Sequence, residues 1–265
     1  MTLASLRGTR ATKVPDVGVG FWTIKLLSTA MGEATSDFLV HRYSPPVVVL
    51  VSAVVFLASL AWQFTRPRYQ TWPYWSAVVM VSVFGTMCAD VAHVGLGIAY
   101  GVSTTVLGVI LVTTFILWHR VERSLSIHSI TTPRREAFYW VAVTTTFALG
   151  TAAGDMTAVT LRLGYFTSGL LFSALFVLPG LGYRYARVNS VAAFWSSYVL
   201  TRPLGASYAD WLGVSRARGG LDWGPGHVAL GFALAIVIGV VALSRAEGSR
   251  ERVRALAGRM IGARR

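Results

Sequence analysis

Eight stretches of this chain are long and apolar enough to cross a bilayer, which leaves it few other ways to fold. They run roughly over 20–40, 45–64, 73–96, 102–119, 138–160, 164–182, 192–212 and 225–244. The even-numbered ones are almost uniformly apolar, and "PPVVVLVSAVVFLASLAW" is typical. The odd-numbered ones carry the polar residues. A soluble core made of eight such helices would have no polar faces to show to water. Charged residues make up 13% of the chain, about half the usual share for a soluble domain. The expected fold is all-α and integral to the membrane, with eight transmembrane helices.

The net charge of +13 would suggest nucleic acid in a soluble protein. Here the basic residues fall between apolar runs and at the ends, with no interleaved aromatic platform, so no nucleic-acid partner is expected. Arg7, Arg10, Lys13, Arg66, Arg68, Arg120, Arg123, Arg134, Arg135, Arg184, Arg187 and the arginines of the tail all fall on one side. The opposite loops hold only Arg42, Arg162, Arg216 and Arg218. The positive-inside rule then puts both termini in the cytoplasm. No signal peptide is read at the start of the chain. The lone cysteine, Cys88, excludes an internal disulfide and reads as a small buried residue.

The odd segments align without gaps. They read "FWTIKLLSTAMGEATSD" (21–37), "YWSAVVMVSVFGTMCAD" (74–90), "YWVAVTTTFALGTAAGD" (139–155) and "FWSSYVLTRPLGASYAD" (194–210). Each is aromatic-Trp-x9-Gly-x3-small-Asp. Each is followed by one plain apolar segment, so the expected unit is a helical hairpin, present as four tandem parallel copies. Their extents are about 18–64, 71–119, 137–182 and 191–244, within one membrane domain over 1–245 and followed by a basic tail over 246–265.

Physics gives each repeat position a role. Trp22, Trp75, Trp140 and Trp195 are expected to anchor the cytoplasmic interface. Gly32, Gly85, Gly150 and Gly205 stand four residues before Ser36, Ala89, Gly154 and Ala209, the small-xxx-small spacing that lets helix backbones approach closely. Asp37, Asp90, Asp155 and Asp210 lie fifteen residues beyond the tryptophans, about 22 Å deeper along a helix. A carboxylate at a span centre costs about 2.5–3.5 kcal/mol on insertion scales. The simplest structural role for each Asp is to accept a hydrogen bond from a neighbouring helix. Four at one depth favour a shared polar centre.

Two residues break the symmetry with opposite signs. Glu33 shares a helix face with Asp37, where the next two repeats have Thr86 and Thr151 and the last has Ala206. One turn earlier stand Thr29, Ser82, Phe147 and Arg202. Arg202 lies mid-span, so an internal carboxylate is the favoured partner, with snorkelling as the alternative. Pro203 loosens its helix. Lys25 reads equally as snorkelling to the interface or as internal. Five carboxyls exceed the available counter-charge, and like charges at close range cannot all ionise in low dielectric. Protons or a cation must make up the difference. Asp37, Asp90, Asp155 and Asp210 are candidate ligands for a hard divalent ion, with Glu33, Thr86, Thr151 and Arg202 beside them.

Other features carry less. No spacing links His41, His93 and His227 into a metal or haem site, and no organic cofactor is expected. "TAAGD" lacks the lysine and strand of a phosphate loop. "AAGD" lacks the first glycine of the Gly-x-Gly-Asp motif of intramembrane aspartyl proteases, which stands as a remote alternative. No lysine in a late span suits retinal. In the tail, Val253, Leu256, Ala257, Met260 and Ile261 fall on one helical face suited to an anionic leaflet.

The segments "KVPDVGVGFWTIKLLSTAMGEATSDFL", "GTAAGD" and "FWSSYVLTRPLGASYADWL" resemble a bacterial family of multi-pass "membrane-anchored proteins" built from a short tandem repeat of unknown function. The resemblance covers about residues 13 to 245 and implies a bacterial inner-membrane protein, with no activity or catalytic residue to carry over. The expected function is that of a transporter, moving a divalent cation with proton coupling through the Asp-lined centre. A non-catalytic membrane scaffold or sensor is the alternative.

Overall fold

The computed structural model describes the backbone of residues 11–262. Arg7, Arg10, Arg264 and Arg265 lie outside the described residues, as do the side chains of the tail helix from position 250. The described residues form eight long helices: α1 (Val19–Arg42), α2 (Pro45–Phe64), α3 (Thr71–Asp90), α4 (Tyr100–Glu122), α5 (Pro133–Asp155), α6 (Tyr165–Tyr185), α7 (Ser190–Gly213) and α8 (Pro225–Gly262). Among the described residues there is no strand. Pro45 and Pro133 open their helices at the first turn, where a missing N–H costs nothing. Thr132 and Asn189 cap α5 and α7 with side-chain oxygens that accept backbone N–H groups. Pro203 does not break α7, which stays helical from Ser190 to Gly213.

The odd helices form a closed ring. Helix α1 packs against α3 and α7, and α5 packs against the same two. The even helices stand outside that ring. Each packs chiefly on the odd helix of the following repeat, α2 on α3, α4 on α5 and α6 on α7, and α8 closes the circle on α1. The expected hairpin therefore holds for the chain path and fails for the packing. Helix α2 crosses to the next repeat, where Phe56 stacks on Phe84 at 5.5 Å between centroids. At the closure, Gly226 and Gly239 let α8 lie close to Phe38 and Ile24 of α1.

Polarity follows this arrangement. The outer helices expose large apolar side chains, such as Leu50 and Val54 on α2, Val106 and Val109 on α4, and Leu234 and Ile238 on α8. Among the described residues, five segments are long and apolar enough to cross a membrane: Pro45–Phe64, Thr71–His93, Tyr100–Glu122, Tyr165–Tyr185 and Pro225–Ser249. Helices α1, α5 and α7 carry polar residues of the ring interior, and α3 adds Ser82, Thr86 and Asp90 to them.

The tryptophans depart from expectation. Trp75, Trp140 and Trp195 are buried, and only Trp22 is partly exposed. They join Phe21, Tyr74, Tyr139 and Phe194 in an aromatic layer that fills the ring at its Trp end. The Tyr74 and Tyr139 hydroxyls share a hydrogen bond of 2.5 Å, and Trp195 Nε1 donates to the Leu125 carbonyl at 2.9 Å. A ring of four helices has an interior to fill at this level, and these large side chains fill it instead of meeting headgroups. Cys88 is also a correction: it is exposed on the outer side of α3.

The same end is sealed further by a buried polar cluster. Lys13 Nζ donates to Glu136 and, at 3.2 Å, to the Phe64 carbonyl. Gln63 Nε2 donates to Glu136 Oε1 at 2.9 Å and to the Lys13 carbonyl at 3.2 Å. All three residues are buried, and they tie the arm before α1 to the ends of α2 and α5. Lys13 thus serves as half of an internal ion pair as well as part of the basic side.

Candidate functional site

Equivalent positions on the ring helices meet their neighbours in the same way. A β-carbon at Gly32 would meet Ser82, one at Gly85 would meet Phe147, one at Gly150 would meet Arg202, and one at Gly205 would meet Thr29. Each glycine thus faces the residue three places before the next repeat's glycine, and the fourth returns to the first. This circular register brings every fourth residue of α1, α3, α5 and α7 to one axis, layer above layer.

Arg202 occupies the middle of that axis and is 1% exposed. Its Nη1 donates to the Thr29 carbonyl at 3.0 Å, and its Nη2 donates to Glu33 Oε2 at 2.5 Å. Nη2 also donates to the Thr86 hydroxyl and, at 2.8 Å, to the Thr151 hydroxyl. One guanidinium from repeat four therefore touches all three other repeats. The two hydroxyls are oriented for this: Thr86 donates to the Ser82 carbonyl and Thr151 to the Phe147 carbonyl, so lone pairs face the arginine. Pro203 packs beside Gly150 and Gly154, and the close helix approach there admits the arginine stem.

About two turns beyond Arg202, the structure brings Asp37, Asp90, Asp155 and Asp210 onto a single cavity of about 400 Å³, with Glu33 in the same lining. Ser36 donates to Asp90 Oδ2 at 3.0 Å. This is the small residue of repeat one serving the carboxyl of repeat two. The matching positions, Ala89, Gly154 and Ala209, have no hydroxyl to offer. Among the described residues no hydrogen bond or ion pair reaches the carboxyls of Asp37, Asp155 or Asp210. Asp210 is nevertheless only 9% exposed. Five carboxyl groups thus share this space with one guanidinium at its floor and another, Arg218, in its lining.

The four Asp side chains are gathered around one cavity without forming a metal cage. Among the described residues no three His, Cys, Asp or Glu side chains are placed to hold a metal ion. The cavity's width keeps the carboxyls apart on separate helices. Among the described residues the three outer histidines do not come together in such a group. His41 is in the cavity lining, His93 bonds Ser103 at 2.5 Å, and His227 bonds the Trp223 carbonyl.

The site also includes residues outside the repeat motif. Tyr100 and Tyr165 line the cavity, and Arg218 Nη2 donates to the Tyr165 hydroxyl at 2.8 Å. The two tyrosines each stand ten residues after an Asp, Asp90 and Asp155. That spacing was legible in repeats two and three. These repeats also share a π-helical turn directly after the Asp, Val91–Gly95 and Met156–Thr160, where α1 and α7 stay α-helical. Such turns interrupt regular helices and often occur at functional sites.

Lys25 lies one turn from Thr29 toward the aromatic layer. It is 1% exposed and does not reach the interface. Its ammonium sits 3.7 Å from the Phe147 ring centroid and 4.3 Å from that of Tyr198, and Nζ has no hydrogen-bond partner among the described residues. Ring faces offset part of the cost of burying that charge, about 2 kcal/mol when desolvated. The penalty for a buried ion is several kcal/mol. Lys25→Met, close in shape and uncharged, is therefore expected to raise the melting temperature of the purified protein in detergent. An unchanged or lower value would mean that Lys25 has a partner stronger than the two rings.

No curated protein and no solved structure matches the chain. One family does, in four tandem copies over residues 20–69, 73–124, 138–188 and 193–249, each holding one ring helix and the outer helix that follows it. The chain belongs to the family described as a repeat of unknown function, DUF347.

Proposed function

We infer that this protein is an eight-span transporter of the bacterial inner membrane, with both termini in the cytoplasm, that admits a cation into the centre of its helix ring. The observation that carries this reading is the convergence of Asp37, Asp90, Asp155, Asp210 and Glu33 on one cavity. Intramembrane ionisable groups that face a shared cavity, away from lipid, mark ion and proton pathways. The carboxyl excess attracts a cation and lets protons compete for the same oxygens. The charge bias of the loops puts the cavity on the outer side, with the aromatic layer closing the ring toward the cytoplasm. A divalent ion would enter with part of its water shell, since the carboxyls do not converge on a bare ion.

A second reading rests on the same axis. Arg202 and Lys25 fill it beneath the cavity, which favours a sensor that binds a cation without passing it. Reconstitution in liposomes separates the two. A panel of monovalent, divalent and organic cations, assayed with and without a pH gradient, should give a flux that depends on pH. Asp155→Asn should cut it by about tenfold or more, the effect of losing one charged interaction. Binding without flux would leave the sensor. No flux and no pH response, with Asp155→Asn like wild type, would remove transport.

A further inference from the structure

We propose that the ligand of the acidic cavity is a small alkylammonium ion, a primary monoamine or diamine, in preference to a metal ion. This rests on the cation reading above and narrows it. The cavity of about 400 Å³ lies in the size range of organic-ligand sites and is far larger than a dehydrated metal ion needs. Its carboxyls stand on four separate helices and leave no metal-binding group of three among the described residues. Between them the walls are apolar, with Val49, Met87, Val91 and Val159 facing the same space as the phenol rings of Tyr100 and Tyr165. A hydrated metal ion gains little from such walls. A short alkyl chain is stabilised by them, and an ammonium group by the ring faces.

Asp210 supplies the anchor. It is nine-tenths buried, lies in the cavity lining, and has neither a hydrogen-bond partner nor an ion pair among the described residues. A buried carboxyl in that position gains strongly from a charged donor. Spread carboxyls also suit a diamine, whose two ends can reach different helices while its methylenes lie on the apolar wall.

A second, independent observation lies on the same axis. Beyond Arg202 the protein holds an alkylammonium of its own. The Lys25 ammonium sits between Phe147 and Tyr198 with no hydrogen-bond acceptor among the described residues. The ring interior thus sets a primary amino group against aromatic faces, which offset only part of the cost of its charge. The cavity offers a free one the same kind of surface and adds carboxyls.

The test is calorimetric titration of the full chain in zwitterionic nanodiscs, at matched low ionic strength. The probes are 1,4-diaminobutane, butylammonium, magnesium, manganese and sodium chlorides. The two amines should bind more tightly than sodium, and the diamine most tightly of all. Asp210→Asn and the more exposed Asp155→Asn should each weaken diamine binding by at least about tenfold. Two positions are tested so that a folding defect at one leaves the other to decide. Amines that bind no better than sodium, or that bind both variants unchanged, overturn the proposal. Magnesium or manganese binding that needs the same carboxyls, with no amine binding, overturns it while leaving the cation reading intact. Silence from every cation overturns both.

Discussion

Arg202→Met should be among the most destabilising single substitutions in this chain, at about 3–5 kcal/mol. The guanidinium is 1% exposed and is the shared donor for Thr29, Glu33, Thr86 and Thr151. Its removal leaves the Glu33 carboxylate without the charge that compensates its burial. The threonines lose less, because each hydroxyl already donates to its own helix. Glu33→Gln alone should be milder, about 1–3 kcal/mol, since an amide oxygen still accepts from Nη2. The double variant Arg202→Met with Glu33→Gln should lie closer to wild type than Arg202→Met alone, because no unpaired charge remains. Thermal unfolding in detergent, followed by tryptophan fluorescence, orders the three variants. If Arg202→Met unfolds within about 1 kcal/mol of wild type, or the double variant falls below it, the idea that this pair holds the ring together fails.

The reason one arginine can matter so much is also the reason part of the site was legible. Glu33 and Arg202 broke an otherwise regular alignment with opposite charges, and they meet across the ring. Four Asp at one repeat position lie on one cavity, because equivalent helices around an axis bring equivalent residues to the same depth. The alignment did not show which helix each outer helix covers. Helices α2, α4, α6 and α8 are apolar on nearly every face, so no stripe in them points to a partner. Trp75, Trp140 and Trp195 followed a rule for side chains that face lipid. They lie instead inside a ring whose interior at that level is filled by large side chains. Lys25 was equally compatible with two directions, and the rings of Phe147 and Tyr198, from two other repeats, draw it inward. Glu136 and Gln63 form a buried cluster with Lys13 across three segments, a pairing that no local spacing announces.

The ring glycines should separate sharply from the outer ones when each is changed to alanine. A β-carbon at Gly32 would meet the Ser82 side chain and, at 2.8 Å, its backbone carbon. At Gly205 it would meet the Thr29 side chain and, at 2.8 Å, the backbone nitrogen of Ala30. At Gly150 it would meet the Arg202 stem and Pro203 Cδ at 2.9 Å. Backbone and a proline ring cannot rotate away, so helices must separate, at about 3 kcal/mol or more, the upper end of overpacking costs. Gly85→Ala should cost less, about 1–2 kcal/mol, because a single atom, Phe147 Cβ at 2.9 Å, is too close and the next neighbours stand at 3.8 Å. Gly154→Ala should be near neutral, since its nearest neighbours stand at 3.7–3.9 Å, ordinary contact distance. Gly108 on α4 and Gly231 on α8 have open space around the added carbon. Alanine there should stabilise by about 0.5–1 kcal/mol through helix propensity alone. The same melting series reads all seven variants. A flat series would mean that the ring helices do not touch through these glycines. A separated one would place the closest helix contacts in the layer just below the acidic cavity, so any substitution that pries the ring apart there also loosens the floor on which Arg202 and Glu33 meet.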